Sequence, residues 1–231
     1  MDIDPERRPQ RSPLPQAGEG TLGAAVRPLT AAEFAAETGV SRETLARLED
    51  YADLLVTWNA RVNLIGRGTV EDLWRRHMLD SAQLHPLLPA DAATLVDLGS
   101  GAGFPGLVLA ILGGPHVHLV ESDQRKCVFL REAIRVTKAP ATVHATRIET
   151  APPLVADVVT ARALAPLDTL LDLAAPFLRP HALALFLKGR GAEGELTLAR
   201  RAWNMSADLL PSRSDPTGTI LRLDHLERNG S

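Results

Sequence analysis

Residues 95–106, LVDLGSGAGFPG, join an apolar run to a turn that is dense in glycine. Its glycines are at positions 99, 101, 103 and 106. Glycine lets the backbone turn sharply and come close to a ligand, because it has no Cβ. The run GLVLAIL that follows predicts a helix whose first N–H groups face the same turn. A strand, a glycine turn and a helix in this order are typical of nucleotide sites, although a tight structural turn has the same local pattern.

An acidic residue follows this unit where a ribose site would need it. The apolar run VHLV predicts a second strand, and Glu121 ends it. In nucleotide-binding α/β units an acid at this point accepts hydrogen bonds from the ribose hydroxyls. The glycine turn and Glu121 together predict a site for a nucleotide or a nucleoside.

The elements that must position these residues alternate from residue 93 onward. The predicted segments are TLVDL, GLVLAIL, VHLVE, QRKCVFLREAIRVTK, ATVHA, DVVTARA, LDTLLDLAAPFL and ALALFLK. This alternation predicts a parallel sheet with right-handed crossovers. After a predicted helix over residues 193–203, the turn SDPTG between MSADLL and TILRLDHL predicts an antiparallel hairpin. We therefore expect the α/β fold of class I S-adenosylmethionine-dependent methyltransferases, a Rossmann-like sheet with an antiparallel last strand. A nicotinamide-binding domain would add a sixth parallel strand instead.

The residues before the sheet fall into two parts. Residues 1–28 are rich in Pro, Gly and Arg and poor in large apolar side chains, which predicts a disordered tail. Residues 29–90 predict an N-terminal helical cap, with helices over 31–38, 42–64 and 71–87. Thr30 and Ser41 precede the first two helices and are predicted N-caps. Residues 91–231 then form the predicted methyltransferase domain.

Bulk properties limit the class of protein. A chain of 231 residues can hold one α/β domain and a smaller appendage. Its net charge of −3 argues against non-specific coating of nucleic acid but permits a local basic face. Cys127 is the single cysteine, so an intrachain disulfide is excluded. No apolar run reaches the roughly 18 residues of a membrane helix, and we expect a cytoplasmic protein without membrane contact.

The chain resembles the small-subunit rRNA methyltransferase G family, also called glucose-inhibited division protein B. The segments that carry the resemblance span residues 31–226 and are WNARVNLI, LWRRHMLDSAQL, VDLGSGAGFPGLVLAI, VESDQRKCVFLREA, TRIE, TARALAPL, LKGRG and SDPTGTIL. The resemblance implies transfer of a methyl group from S-adenosyl-L-methionine to N7 of a single guanine of 16S rRNA. It implies the small ribosomal subunit as partner, and we expect the protein to be a monomer.

The resemblance also implies roles for residues around the cofactor. The glycines would pass under its methionine part, Asp97 would meet its ammonium, Phe104 would form a wall of the pocket or ordinary core, and Ile148 with Glu149 would lie at the adenine. The residues implied for cofactor binding are Asp97, Gly99, Gly101, Gly103, Phe104, Glu121, Ile148, Glu149 and Arg162.

The acceptor side is predicted from cations that follow strands. Arg162 ends the fourth strand, where we expect it to orient the acceptor, and TARALAP stands there in place of an Asn/Asp-Pro-Pro-aromatic motif. Lys188 and Arg147 are predicted to form a cation cluster with it that contacts RNA phosphate or the guanine edge. Pairing with Glu149 and nearby acids is the alternative. We assign no general base, because N7 already presents a lone pair.

Other residues have structural interpretations. His77 and Asp80, with Arg76, share a predicted helical face and favour a polar latch between helix and domain over RNA or cofactor contact. We predict no metal site, because no third ligand has suitable spacing. Thr219 stands where members of the family often have an arginine, and this puts one RNA contact in doubt.

Two other functions stay open. The chain could methylate another RNA or a small molecule, or it could be a non-catalytic ribosome-assembly factor that keeps the fold.

Overall fold

The computed structural model describes residues 27–230, so the predicted tail lies almost wholly outside the described residues. In that range the chain forms one seven-stranded sheet with the order β3-β2-β1-β4-β5-β7-β6. The strands are β1 (Thr94–Leu98), β2 (His116–Glu121), β3 (Ala141–Ala145), β4 (Ala156–Arg162), β5 (Leu178–Lys188), β6 (Trp203–Pro211) and β7 (Thr219–Arg228).

The direction of the strands confirms the predicted sheet. β1 pairs in parallel with β2 and β4, β2 with β3, and β4 with β5. β7 is antiparallel to both β5 and β6. The carboxyl ends of β1 to β5 therefore meet at one edge of the sheet, where ligands bind in open α/β folds.

Helices cover the sheet and precede it. They are α1 (Ala31–Thr38), α2 (Arg42–Asn59), α3 (Asp80–Ala82), α4 (Gly106–Ile111), α5 (Gln124–Thr137), α6 (Leu167–Ala174) and α7 (Ala192–Ala199). A π-helical segment, Trp74–Leu79, runs directly into α3. Both predicted N-caps are confirmed, since the hydroxyls of Thr30 and Ser41 accept backbone N–H groups of the first turns.

The structure corrects three predicted helices: two end earlier than predicted, and one is replaced by three shorter segments. α2 stops at Asn59 rather than 64, because the Asn59 side chain accepts the N–H groups of Leu64 and Ile65 and turns the chain back. The helix predicted over 71–87 is instead the π-helical segment, one short turn of α3 and a 3₁₀ turn, His85–Leu87. α7 ends at Ala199, and the following residues turn into β6, which begins with Trp203.

Two apolar clusters, one on each face of the sheet, hold these layers together. On one face Tyr51 and Leu55 of α2 are fully buried in the same cluster as Leu107 of α4 and Phe129 of α5. On the other face α6 and α7 pack against β1, β4 and β5. The N-terminal helices thus share their core with the sheet, and this brings the π-helical segment to the edge where the strands end.

Candidate active site

A cavity of about 580 Å³ lies at the carboxyl edge of the sheet. Its walls come from the glycine turn, the π-helical segment, the ends of β4 and β5, and the turn between β6 and β7. The residues that line it include Thr69, Arg76, His77, Asp80, Gly99, Gly101, Phe104, Lys126, Arg162, Lys188, Glu195, Ser214, Asp215 and Thr219.

The glycine turn forms the wall of the cavity nearest β1. Gly99, Gly101 and Gly103 have φ angles of 64°, 58° and 100°, a region that L-residues rarely adopt. A Cβ on Gly103 would lie 2.9 Å from the Cβ of Leu107 and 3.0 Å from the Tyr51 hydroxyl. The loop therefore requires glycine for its conformation and also for its close packing.

Tyr51 supports this loop from α2. Its buried hydroxyl donates to the carbonyl of Ala102 at 2.5 Å, and its ring packs 5.5 Å from that of Phe104. No pattern in the sequence indicated this contact, because Ala102 is 51 positions away along the chain. Phe104 is 3% exposed, so it is largely core, yet it also lines the cavity.

Glu121 ends β2 behind the same loop and is buried. One carboxylate oxygen accepts the N–H of Gly101 at 2.8 Å, and the other accepts the N–H of Asp123 at 2.8 Å. Each carboxylate oxygen can accept two hydrogen bonds, so both retain a free lone pair. Glu121 holds the loop in place and keeps acceptor capacity for hydroxyl groups.

Asp97 lies near the end of β1, beside the loop, and its side chain is fully buried. One carboxylate oxygen accepts a hydrogen bond from the Thr160 hydroxyl at 2.7 Å, because Asp97 and Thr160 are paired in register on β1 and β4. The other oxygen is buried without a hydrogen-bond partner among the described residues. Burial raises the pKa of Asp97 to about 6, against the opposing hydrogen bond from Thr160. The unpaired oxygen lies within the protein, and Asp97 does not line the cavity.

The residues predicted at the adenine do not line the cavity. Ile148 and Glu149 lie in a short 3₁₀ turn, Ile148–Thr150, where Ile148 packs on the apolar cluster of α6 and Glu149 is exposed. Arg147 is also exposed. It follows β3, and three strands separate it from β5, which places it about 19 Å from Lys188 by strand spacing alone. The predicted cation cluster of Arg147 with Lys188 is therefore wrong.

Arg162 reaches the cavity from the last position of β4. Its guanidinium lies 4.9 Å from the centroid of the Phe104 ring, a cation–π contact. Nη1 donates to the carbonyl of Arg76 at 3.2 Å and to the Asp80 carboxylate at 3.3 Å. These contacts fix one edge of the guanidinium.

Lys188 is bound by other residues of the protein. This agrees with the alternative interpretation of its sequence position, pairing with nearby acids, but the acid is Glu195 and not Glu149. Its ammonium donates to the carbonyl of Ala165 at 2.7 Å and pairs with the Glu195 carboxylate at 2.6 Å. Thr219 pairs in register with Lys188 and lines the cavity. Arg222 does not replace the arginine expected there, because it pairs with Asp208 and Asp224 away from the cavity.

His77 is buried and held at one nitrogen. Nε2 shares a hydrogen bond of 2.8 Å with the Thr69 hydroxyl, and Nδ1 is buried without a partner. Burial, together with Arg162 and Arg76, lowers the pKa of His77 to about 3, so the imidazole is neutral at neutral pH. The predicted polar latch exists, but Asp80 forms it: Asp80 binds Arg162 and Ser214, while Arg76 pairs with Asp215.

Cys127 is buried, as expected for a core position, and its thiol donates to the carbonyl of Glu121. His116 and His118 lie on β2, where they bond Thr142 and His144 on the neighbouring strand. Within residues 27–230 no group of three or more His, Cys, Asp or Glu side chains is arranged to hold a metal ion.

None of the helices in the described part of the chain is long and apolar enough to span a membrane.

Solved structures share the fold of this chain. The N-methyltransferase NodS from Bradyrhizobium japonicum, in complex with S-adenosyl-L-homocysteine, has a TM-score of 0.52 at 16% identity and covers 79% of this chain and 99% of its own. TYW2 from M. jannaschii, in complex with AdoMet, has a TM-score of 0.51 at 17% identity, covering 73% and 80%. Such low identities establish the fold alone. It is the class I S-adenosylmethionine-dependent methyltransferase fold.

Sequence relatives narrow the class to one family. The family model described as rRNA small subunit methyltransferase G (GidB) matches residues 44–212, and the chain belongs to that family. The ribosomal RNA small subunit methyltransferase G of Paramagnetospirillum magneticum is 62% identical over 196 residues, which cover 85% of this chain and 96% of the relative. The corresponding protein of Rhodospirillum centenum is 60% identical over 200 residues, covering 87% and 93%.

Proposed function

We propose that this chain transfers the methyl group of S-adenosyl-L-methionine to N7 of one guanine in 16S rRNA. One observation supports the proposal most. Most of the sequence segments that resemble the family come together around one cavity, at the edge of the sheet where methyltransferases bind their ligands. The small ribosomal subunit is then the partner. A cytoplasmic location follows from that substrate, and we expect the protein to act as a monomer.

The residues around the glycine turn fit the cofactor. Gly99 and Gly101 present a surface without side chains, and Glu121 keeps lone pairs for the ribose hydroxyls. Asp97 stays the proposed source of negative charge for the ammonium, although its carboxylate is fully buried and lies outside the cavity lining. Ile148 and Glu149 stay proposed adenine contacts from the end of β3. The cofactor supplies an electrophilic methyl group when bound.

The polar groups on the acceptor side of the cavity orient the acceptor nucleotide and do not remove a proton from it. Arg162 and the rim cation Lys126 offer donors to nucleotide oxygens, and His77 is neutral but engaged with Thr69. Guanine N7 has its lone pair in the ring plane, so bond formation there requires no prior loss of a proton. Holding N7 in line with the methyl group supplies the acceleration through proximity and orientation. In this proposal residues 29–90 cap the acceptor end, and residues 91–231 are the methyltransferase domain.

The acceptor is tested by methyl transfer in vitro. The purified chain is incubated with tritiated S-adenosyl-L-methionine and, in parallel, with small ribosomal subunits, free 16S rRNA and tRNA from cells that lack this gene. We expect close to one methyl group per 16S rRNA, in one of the two ribosomal samples, at a guanine that becomes sensitive to the aniline cleavage specific for 7-methylguanosine.

Transfer to tRNA alone, or to a different atom of 16S rRNA, would replace this acceptor with another. Cofactor binding by calorimetry without transfer to any RNA would favour the non-catalytic assembly factor.

A further inference from the structure

Asp80 connects three segments that are far apart in the sequence. Its Oδ2 accepts Nη1 of Arg162 at 3.3 Å, at the end of β4. Its Oδ1 accepts the Ser214 hydroxyl at 2.5 Å, in the turn before β7, and Nε2 of Gln83 at 3.2 Å. Every hydrogen bond to this carboxylate therefore comes from a side chain that borders the cavity or supports its wall.

The Asp80 carboxylate compensates the charge of Arg162, which is largely shielded from solvent. The side chains of Arg162 and Asp80 are only 19% and 17% exposed, so each charge depends on the other for compensation. One face of the guanidinium covers Phe104, and Nη1 is fully engaged. Nε and Nη2 make no hydrogen bond to the residues that the structure describes. The pairing thus leaves a defined donor edge available to a nucleotide in the cavity.

The backbone places Asp80 by means of an unusual helix. The segment Trp74–Leu79 is π-helical, and Asp80 follows it as the first residue of α3. Single π-helical turns are rare in proteins and occur often at functional sites. On the same segment the carbonyl of Arg76 is the second acceptor for Arg162, and the Arg76 side chain binds Asp215 of the β6–β7 turn. One short stretch therefore holds both Arg162 and the turn.

We infer that Asp80 is a positioning residue that sets the guanidinium of Arg162 for the acceptor nucleotide and couples it to the β6–β7 turn through Ser214. This inference rests on the proposed function. Asp80 makes no hydrogen bond to the glycine turn among the residues that the structure describes, so its effect must pass through Arg162. Its replacement should therefore change turnover without changing cofactor affinity.

The test compares Asp80→Asn with a matched control, Asp208→Asn. Both changes neutralise an aspartate that pairs with an arginine, but Asp208 pairs with Arg222 outside the cavity. For Asp80→Asn we expect about a tenfold loss of kcat, with less than a twofold change in S-adenosyl-L-methionine affinity measured by calorimetry. For Asp208→Asn we expect both values to stay within twofold of the wild type.

A double-mutant cycle separates positioning from a general loss of folding. If Asp80 acts through Arg162, then Asp80→Asn lowers kcat by less than twofold when it is introduced into Arg162→Ala. The second change should also raise the melting temperature of Arg162→Ala, because it removes a half-buried carboxylate that has lost its cation. Multiplicative losses in the double variant would overturn the inference, as would wild-type kcat for Asp80→Asn.

Ser214→Ala provides a second measurement if Asp80→Asn does not fold. It removes one donor to Asp80 and makes only a small change in volume. A two- to fivefold loss of kcat supports the coupling, and an unchanged kcat overturns it. The rates are measured on whichever acceptor the wild type methylates, so a wrong acceptor refutes the proposed function without deciding the role of Asp80.

Discussion

The two ends of the cavity are built in different ways. At the end proposed for the cofactor, the glycine turn lines the cavity and Glu121 supports it from β2; these residues are close in sequence, and backbone N–H groups and carbonyls make most of the contacts. At the acceptor end, Asp80, Arg162 and Ser214 come from three distant segments, and their side chains make the contacts. The first end depends on backbone shape, whereas the second depends on charge pairing between elements.

This difference determines what a substitution removes. A change at the cofactor end should alter cofactor affinity, since it disturbs the surface that receives the ligand. A change at the acceptor end should alter turnover, since it disturbs the orientation of a charged donor while the glycine turn stays intact. The following variants test that separation, in order of decreasing effect.

Arg162→Ala should have the largest effect. It removes the donor edge in the cavity and leaves the Asp80 carboxylate without its cation. We expect rRNA methylation under saturating cofactor to fall about 100-fold, equivalent to about 2.7 kcal/mol of transition-state stabilisation. Single-turnover kinetics measure this, with circular dichroism as the control for folding. A loss below about threefold would mean that the acceptor does not contact Arg162.

Glu121→Ala should act on cofactor affinity. The change removes the acceptor for Gly101 and Asp123 as well as the proposed ribose contact, which should weaken S-adenosyl-L-methionine binding by roughly 1–3 kcal/mol. Calorimetry gives the affinity, and Glu121→Gln, which keeps one acceptor oxygen, should lose less. If folded Glu121→Ala binds the cofactor as the wild type does, then the ribose assignment is wrong.

Asp97→Asn should change how stability depends on pH. Because burial raises the pKa of Asp97 to about 6, the folded protein retains a proton that the unfolded chain releases from about pH 4. Stability due to protonated Asp97 is therefore lost as the pH rises through this window. Relative to the wild type, the free energy of unfolding of Asp97→Asn should increase by roughly 2–3 kcal/mol between about pH 4 and 7.

Denaturant titrations at several pH values measure that difference. A constant difference between the two proteins across the range would show that Asp97 titrates normally.

Lys188→Ala should have the smallest effect on methylation. Its ammonium is already bound by Glu195 and the carbonyl of Ala165, so we expect at most about a threefold loss at limiting RNA. Glu195→Gln is the matched variant, and similar small losses in both indicate a structural pair. A loss of tenfold or more in Lys188→Ala alone, with normal cofactor binding, would show that the lysine contacts RNA.

The glycine turn and Glu121 could be located from the sequence, whereas the contacts around Asp80 could not, for a physical reason. The glycine turn and the acid after β2 are set by local backbone requirements, so their spacing is visible in the chain. The parallel strands and the antiparallel hairpin also followed from alternation and from the SDPTG turn. By contrast, no local pattern indicates that Tyr51 binds Ala102 or that Ser214 binds Asp80, since these contacts exist only after the N-terminal helices pack on the sheet.

Errors in the predicted elements have the same origin. The apolar periodicity over residues 71–87 is compatible with an α-helix, but tertiary contacts to Arg162 and to the β6–β7 turn accompany a π-helical segment instead. The position of Arg147 was misjudged because the strand order separates β3 from β5, a distance that the linear sequence does not show.

In the proposed function the residues of this cavity orient guanine N7, which carries no proton, and no general base takes part. The most direct test is the single-turnover rate of rRNA methylation between about pH 7 and 9, with cofactor and RNA both saturating and the product mapped to N7. We predict a rate that changes less than threefold over this range, because no proton must leave N7 before attack. A rise approaching tenfold per pH unit would contradict the account and require a general base.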